Sequence, residues 1–511
     1  MPATPSVTGR TRLSGVVLLA VSLMMLSGCA RLFPKPQYDQ TNPKRLHHIG
    51  SDLNGAYDPY SRQHEANFKS VERFNAERSK TKINEMEKSR VAMEDVGNRA
   101  LYAEYQALLD DIEADMLSWA RKREKCGGHV VKVLLFFHGG LNHPANNDKR
   151  LERRLAEIQL DGFYPLYVSW RSGAFVSFWD RFTAVRNGGI ATGPVAPVRG
   201  TIYTLSDALS GLAKAPETGW DVAANSLAAA DARQRGMDRD RSDYLPSDAL
   251  YWPASDPYSF LDQTRYRAGQ VLPGVVRLVT TPVVQGLGTP AWSMMLRRTK
   301  HLTTMEADVL GYNESYCGED CAVEGNGVVA VLARRLDALN QRLPAGMTME
   351  ITLVGHSMGA IVANELVSLY PQLPYKTIVH MGAADSNRNW IDKTYPWLKA
   401  HADDPGVAFY NLTLHPTSEE REVNGFFLIP NGSLLVWLDD MLTQPDHMLD
   451  RRSGRWTNAR HLLPFYEDAG NAYLKVFPAN DDSVPQNHGD FGKFRYWRED
   501  FYWGREQERA G

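Results

Sequence analysis

The sequence predicts an α/β protein built on a mostly parallel sheet with helices on both faces. Three observations carry this. Apolar runs of strand length alternate with segments of helical periodicity between residues 130 and 477. Two of the runs, 130–137 (VVKVLLFF) and 163–170 (FYPLYVSW), are apolar almost throughout, as strands buried on both faces must be. A third, 349–354, enters Gly355-His356-Ser357-Met358-Gly359 and passes at once into an apolar helical pattern.

Taken in order, the chain opens with a short basic stretch (Arg10, Arg12) and an apolar core at 15–26, too short to span a bilayer comfortably. Leu26-Ser27-Gly28-Cys29 follows. This ending resembles the bacterial lipobox, which implies a signal peptide over 1–28, cleavage before Cys29 and lipidation of that cysteine. Each buried CH₂ of an acyl chain adds ~0.8 kcal/mol of membrane affinity, so several chains anchor a protein without a spanning helix. Ala30 after the cysteine resembles an outer-membrane sorting signal in Gram-negative bacteria. The expected place is the bacterial cell envelope. Residues 29–66 are polar and aperiodic and read as a tether. His47 and His48 lie there without acidic or cysteine neighbours at ligand spacing, so they read as solvated, and no metal site is expected.

Residues 67–129 are strongly charged with helically spaced apolar positions (Leu101, Tyr105, Leu108, Leu109, Ile112, Met116), which predicts one or two helices docked outside the core. The strand at 130–137 runs into His138-Gly139-Gly140-Leu141-Asn142. A helix is expected at 148–159 and the next strand at 163–170. Val329, Leu332, Leu336 and Leu339 share one face of a helix over 328–341. After the elbow, strands are expected at 376–382, 407–414 and 472–477. Residues 130–490 therefore read as one domain with an insertion at about 171–326 and a tail at 491–511. The insertion is apolar at 271–296, but Arg277, Pro273, Pro282 and Pro290 argue against a transmembrane helix. It reads either as a helical cap or as a mobile lid with an apolar face.

Composition narrows the function. A net charge of −3 and a pI near 6.5 leave no electrostatic footprint for nucleic acid. Beyond Cys29, the cysteines are Cys126, Cys317 and Cys321, which suit a structural bridge in an oxidising compartment, with the pairing open.

The chemistry lies in the G-x-S-x-G turn. A serine at a sharp strand-to-helix turn projects its hydroxyl above the sheet, and the helix N-terminus offers N–H groups to a developing oxyanion. Ser357 is the candidate nucleophile. His488, the one histidine after the last expected strand, is the candidate base. Glu419 is the first candidate for the acid that orients it, with Glu420 and Asp385 as alternatives; Asp481 and Asp482 suit the role less. The Met358 and Gly140 amides are the candidate oxyanion donors.

His138-Gly139-Gly140, the elbow at 355–359 and the late His488 together resemble the α/β-hydrolase superfamily. The runs Phe-Phe-His-Gly-Gly-Leu-Asn (136–142) and Tyr-Val-Ser-Trp-Arg-Ser-Gly (167–173) are similar to a bacterial branch of esterase- and lipase-like hydrolases. The resemblance covers about 130–490. It implies the α/β-hydrolase fold, a Ser–His–acid triad, an ester or lipid substrate cleaved through an acyl-enzyme, and no metal or organic cofactor. The Glu-rich loop where the family carries a clear Asp is the departure. Acyl transfer, thioester or peptide cleavage would use the same machinery, and an inactive envelope scaffold would keep the body alone.

Overall fold

A computed structural model describes residues 43–51, 57, 83–124, 129–140, 144–170, 172, 248–251, 285–286, 288–303, 327–422, 432–443 and 445–503, with isolated residues between 185 and 216. Cys29, Cys126, Cys317, Cys321, the signal segment and most of the insertion, including 271–284, lie outside the described residues.

The core is one eight-stranded, wholly parallel sheet: β1 (His48–Ser51), β2 (Val130–Phe137), β3 (Phe163–Trp170), β4 (Leu250–Tyr251), β5 (Thr348–His356), β6 (Tyr375–Met381), β7 (Ala408–Thr413) and β8 (Ala472–Val476), in the order β1-β3-β2-β5-β6-β7-β8-β4. From β2 the chain turns to one side to lay down β3. From β5 it proceeds to the other. The order therefore reverses between β2 and β5, the kind of place where open parallel sheets leave a crevice at their carboxyl ends.

Both faces are covered. Along β2, Val131, Val133, Leu135 and Phe137 point into the larger core, while Leu134 and Phe136 point into a second, the period of two expected of a strand. Helices α1 (Ile83–Glu124), α3 (Val328–Gln341) and α4 (Gly359–Leu369) supply the larger core. Of α1, Tyr105, Leu108, Leu109, Ile112, Met116 and Ala120 are buried, and the Tyr105 hydroxyl donates to the Val328 carbonyl at 2.8 Å. Its polar side is fastened to α3 by Arg335 with Asp110 and Glu113. Helix α2 (Pro144–Leu160) contributes Leu151 and Ile158 to the second core.

The strands foreseen from the sequence at 130–137 and 163–170 and the helix at 328–341 have those bounds, and the others fall within a few residues. Three expectations are corrected. The tether is one: within it, Pro43–His47 forms a 3-10 turn and β1 pairs with β3 from His48↔Tyr167 to Ser51↔Trp170. His47 and His48 are buried, not solvated. The His47 Nδ1 donates to the Pro165 carbonyl at 2.9 Å, and the His48 Nε2 meets the Ser169 hydroxyl at 2.8 Å. A four-residue edge strand needs only one inward apolar side chain, here Ile49, so no periodicity reveals it. The second is β4, which falls inside the expected cap yet pairs with β8 at the far edge. The third is the tail: Phe491, Tyr496, Trp497 and Tyr502 are buried on the second face against Leu134, Phe136, Tyr410 and Leu412. The Trp497 Nε1 donates to Asp161 at 2.8 Å. Among the described residues no helix is long and apolar enough to cross a membrane.

Ile49 is fully buried. Ile49→Ala should cost about 2–5 kcal/mol in urea unfolding of the chain lacking residues 1–29. A tether residue would change stability by less than about 0.5 kcal/mol.

Candidate active site

The residues singled out from the sequence, together with Gly382 and Glu422, which were not, lie at the carboxyl edges of neighbouring strands. His138, Gly139 and Gly140 follow β2, Ser357 follows β5, Gly382 and Asp385 follow β6, Glu419 and Glu422 follow β7, and His488 lies beyond β8.

Ser357 has φ +54°, in the left-handed region that non-glycine residues avoid. Such a conformation costs about 1–3 kcal/mol and persists only where its surroundings over-determine it. Here they do. The Ser357 N–H donates to the Met381 carbonyl at 2.9 Å, and the Ser357 carbonyl accepts from Ala384 and Ala360 N–H at 3.0 and 3.1 Å. The two flanking glycines have no room for side chains. A Cβ on Gly359 would collide with the Phe137 carbonyl, and one on Gly355 would lie 2.7 Å from the Ala360 backbone. The elbow is thus wedged between the ends of β2 and β6. Met358 caps the N-terminus of α4, where first-turn N–H groups have no acceptor within the helix.

The His-Gly-Gly turn is held from β3. The Trp170 N–H donates to His138 Nε2 at 3.0 Å, which places the ring proton on Nδ1, and Nδ1 donates to the Gly139 carbonyl at 2.7 Å. The imidazole stacks on Trp170 with centroids 4.0 Å apart. The fixed tautomer aligns the turn beside Ser357: a Cβ on Gly139 would lie 2.9 Å from the serine's own Cβ.

The main chain of His488 is clamped on both sides. Its N–H donates to Glu422 Oε2 at 2.8 Å, and its carbonyl accepts from His356 Nε2 at 2.9 Å. A carbonyl only accepts, so His356 carries its proton on Nε2. The residue between Gly355 and Ser357 therefore fixes the histidine loop, with the two rings 5.3 Å apart. The His488 Nδ1 lies against the turn at Gly382. Ser357 Oγ and His488 Nε2 are both buried, and neither has a hydrogen-bond partner among the described residues. They are therefore not bonded to each other. Burial lowers the His488 pKa to about 4, so the imidazole is neutral at ordinary pH.

The structure does not bring the first-choice acid, Glu419, to His488. Glu419 is buried, but its oxygens go elsewhere: Oε1 accepts from the Ser433 hydroxyl at 3.1 Å and Oε2 faces Arg455 at 3.7 Å. Asp385 is likewise occupied, accepting from Asn364 and Asn389 at 2.6 Å and from the Ser386 N–H at 2.8 Å. The Glu420 side chain lies outside the described residues. Asp481 bonds Ser483 on its own exposed turn. Glu422, three residues beyond the first choice, reaches the main-chain N–H of His488. Burial raises its pKa, and the His488 N–H opposes that. Glu419 lies within helix α5 (Pro416–Arg421), which carries it inward toward Arg455, and Glu422 follows the end of that helix.

A buried ionic cluster beneath this loop was not foreseen. Asp439, fully buried, takes the Arg455 guanidinium at 3.1 Å, the Asn458 amide at 2.7 Å and the Arg452 N–H at 3.0 Å. Asp440 lies 3.7 Å from Arg455. Two arginines meet three carboxyls, so one carboxyl is best left protonated. Glu419 is that one: desolvation, only partly offset by Arg455, pushes it up to about 8. The turn at 451–455 also donates backbone N–H groups to the Ala383 and Asp385 carbonyls. Its signal in the sequence is Arg451-Arg452-Ser453-Gly454-Arg455 after Asp439-Asp440, a charge pattern that looks like surface.

No group of His, Cys, Asp and Glu able to hold a metal ion occurs among the described residues. No protein-family model, curated protein or solved structure matches the chain.

The raised Glu419 fixes a sign. A carboxyl that keeps its proton in the folded state contributes stability below its unfolded pKa and loses it as pH rises through about 8. Glu419→Gln removes that loss, so its urea midpoint should gain on wild type steadily from pH 5 to pH 9. A constant difference would show Glu419 ionised throughout.

Proposed function

We propose that this chain is a serine hydrolase of α/β-hydrolase fold that cleaves carboxylic esters through an acyl-enzyme on Ser357, anchored to a bacterial envelope membrane through lipidated Cys29. The observation that supports the chemistry best is the strained Ser357 at the β5–α4 turn, with the clamped His488 and the His-Gly-Gly turn at the same sheet edge. The elbow at the order reversal and the chain order serine, carboxylate, histidine support the fold.

In this reading Ser357 Oγ attacks the ester carbonyl while His488 Nε2 takes its proton. The Met358 and Gly140 amides receive the oxyanion. His488 returns the proton to the leaving alcohol, then takes one from water as it attacks the acyl-enzyme and gives that proton to Ser357 Oγ as the acid departs. Glu422 and His356 are positioning residues. They hold the His488 backbone so that rotation of its side chain is what remains to bring Nε2 to the serine, and catalytic hydrogen bonds are often unmade in the free enzyme.

One observation favours a second reading: Ser357 Oγ and His488 Nε2 are buried and unbonded, as they would be in an inactive scaffold. A fluorophosphonate probe separates the two. The hydrolase should label at Ser357, and Ser357→Ala should abolish both labelling and p-nitrophenyl ester hydrolysis; an unlabelled wild type supports the scaffold. His488→Ala should lower kcat by about 10²–10⁴.

The pH dependence follows from burial. His488 works neutral, and its pKa lies near 4. The acidic limb of kcat/KM should therefore fall well below 6.5, with Glu422, His356 and Asp490 as the nearby titrating groups. A limb at 6.5 or above would show an imidazole in contact with water.

A further inference from the structure

This inference rests on the hydrolase reading and concerns which acyl groups reach Ser357. Ser357 is 1% exposed, so an acyl group on its oxygen lies enclosed by the neighbouring side chains. Two thioethers crowd the adjoining Gly140: a Cβ there would collide with Met358 Sδ and lie 2.7 Å from Met295 Cε. Met358 belongs to the elbow and is fixed by α4. Met295 comes from a different element, the helical stretch 288–303 at the end of the insertion.

That stretch is pinned at both ends. Gly288 packs against the Leu442 side chain, and the Thr289 hydroxyl donates to the Leu442 carbonyl at 3.0 Å. At the other end Gly327 sits directly against the carbonyls of His301 and Leu302, where any side chain would collide. Between the anchors Trp292, Met294 and Met295 are buried, and Trp292 and Met295 belong to the same core as Met358, Leu438 and Leu442. The stretch is a wall held at two points. What can yield is the Met295 side chain, unbranched, with three rotatable bonds and a polarizable sulfur.

Trp292 supplies an independent observation. It precedes Met295 by three residues, so the two share a helix face. It is 3% exposed, and its Nε1–H is buried without a partner among the described residues. A buried indole N–H without an acceptor is costly, and a bound ester oxygen would relieve it.

We infer that Met295 sets acyl-chain length. Displacing its thioether opens room beside Gly140 for a short, unbranched acyl group. The substrate class is then short-chain carboxylic esters rather than long-chain lipids, and the gate is one side chain on a fixed helix.

The experiment is a chain-length series of p-nitrophenyl esters, acetate to decanoate, on wild type, Met295→Ala and Met294→Ala. Met294, a neighbouring buried methionine, controls for lost packing. Ser357 labelling by a fluorophosphonate is measured in parallel. Wild type should favour butyrate over octanoate, and Met295→Ala should raise the octanoate-to-butyrate ratio of kcat/KM at least about 10-fold, the scale on which pockets discriminate methylenes. Met294→Ala should keep the wild-type ratio. Trp292→Phe, which removes the N–H and keeps a ring, should raise KM for butyrate. Labelling with an unchanged ratio in Met295→Ala, or an equal shift in Met294→Ala, overturns the inference alone. Absence of labelling in every protein overturns the hydrolase reading and this inference with it.

Discussion

The arrangement depends on the close approach of three backbones at the carboxyl edge of the sheet. The end of β2 touches Gly359, the end of β6 receives the Ser357 N–H, and Ala384 returns a hydrogen bond to the Ser357 carbonyl. A side chain at either elbow glycine would push these segments apart. A relaxed Ser357 would lose its hydrogen bonds to Met381 and Ala384. The strain at one residue is sustained by the ends of β2 and β6 packed on either side of it.

Around that point the polar groups divide into two systems. One is main-chain clamping of His488 by Glu422 and His356, which leaves the imidazole Nε2 without a hydrogen-bond partner among the described residues. The other is the ionic cluster of Asp439, Asp440, Arg452, Arg455 and Glu419. Such clusters seldom add net stability over apolar packing, but breaking one is costly. This one fixes the loops after β6 and β7 relative to each other. Arg452 donates to the Ala384 carbonyl at 3.2 Å, and the Ser453 and Gly454 N–H groups donate to Asp385 and Ala383. Glu419 therefore belongs to the scaffold of the site.

What the sequence disclosed, and what it hid, follows from the range of the interactions. The central strands and the elbow were legible because local pattern determines them: continuous apolar runs, paired glycines, helical spacing. The acid was not. Glu419 and Glu422 sit three residues apart on one turn, and only the approach of Arg455 and His488 from distant segments decides which faces which. His356 was equally hidden, since its role is a bond to a residue 132 positions away. The strand at 48–51 offered one apolar residue in four, and the aromatic residues after 490 were interleaved with charges, so both looked like surface until their partners were in place.

The second face of the sheet is closed by the last described residues. Tyr496 meets Tyr167, Trp497 reaches Asp161, and the Tyr502 ring lies tilted against Tyr410 with centroids 4.6 Å apart. The opposite edge depends on Leu250 and Tyr251 finding β8 more than two hundred residues later. Contacts of such separation form slowly. During synthesis the chain must carry Phe136, Tyr410 and Leu412 uncovered until its final segment emerges. A chain interrupted shortly before that point would have an elbow but a sheet with one greasy side open, a ready target for chaperones and proteases.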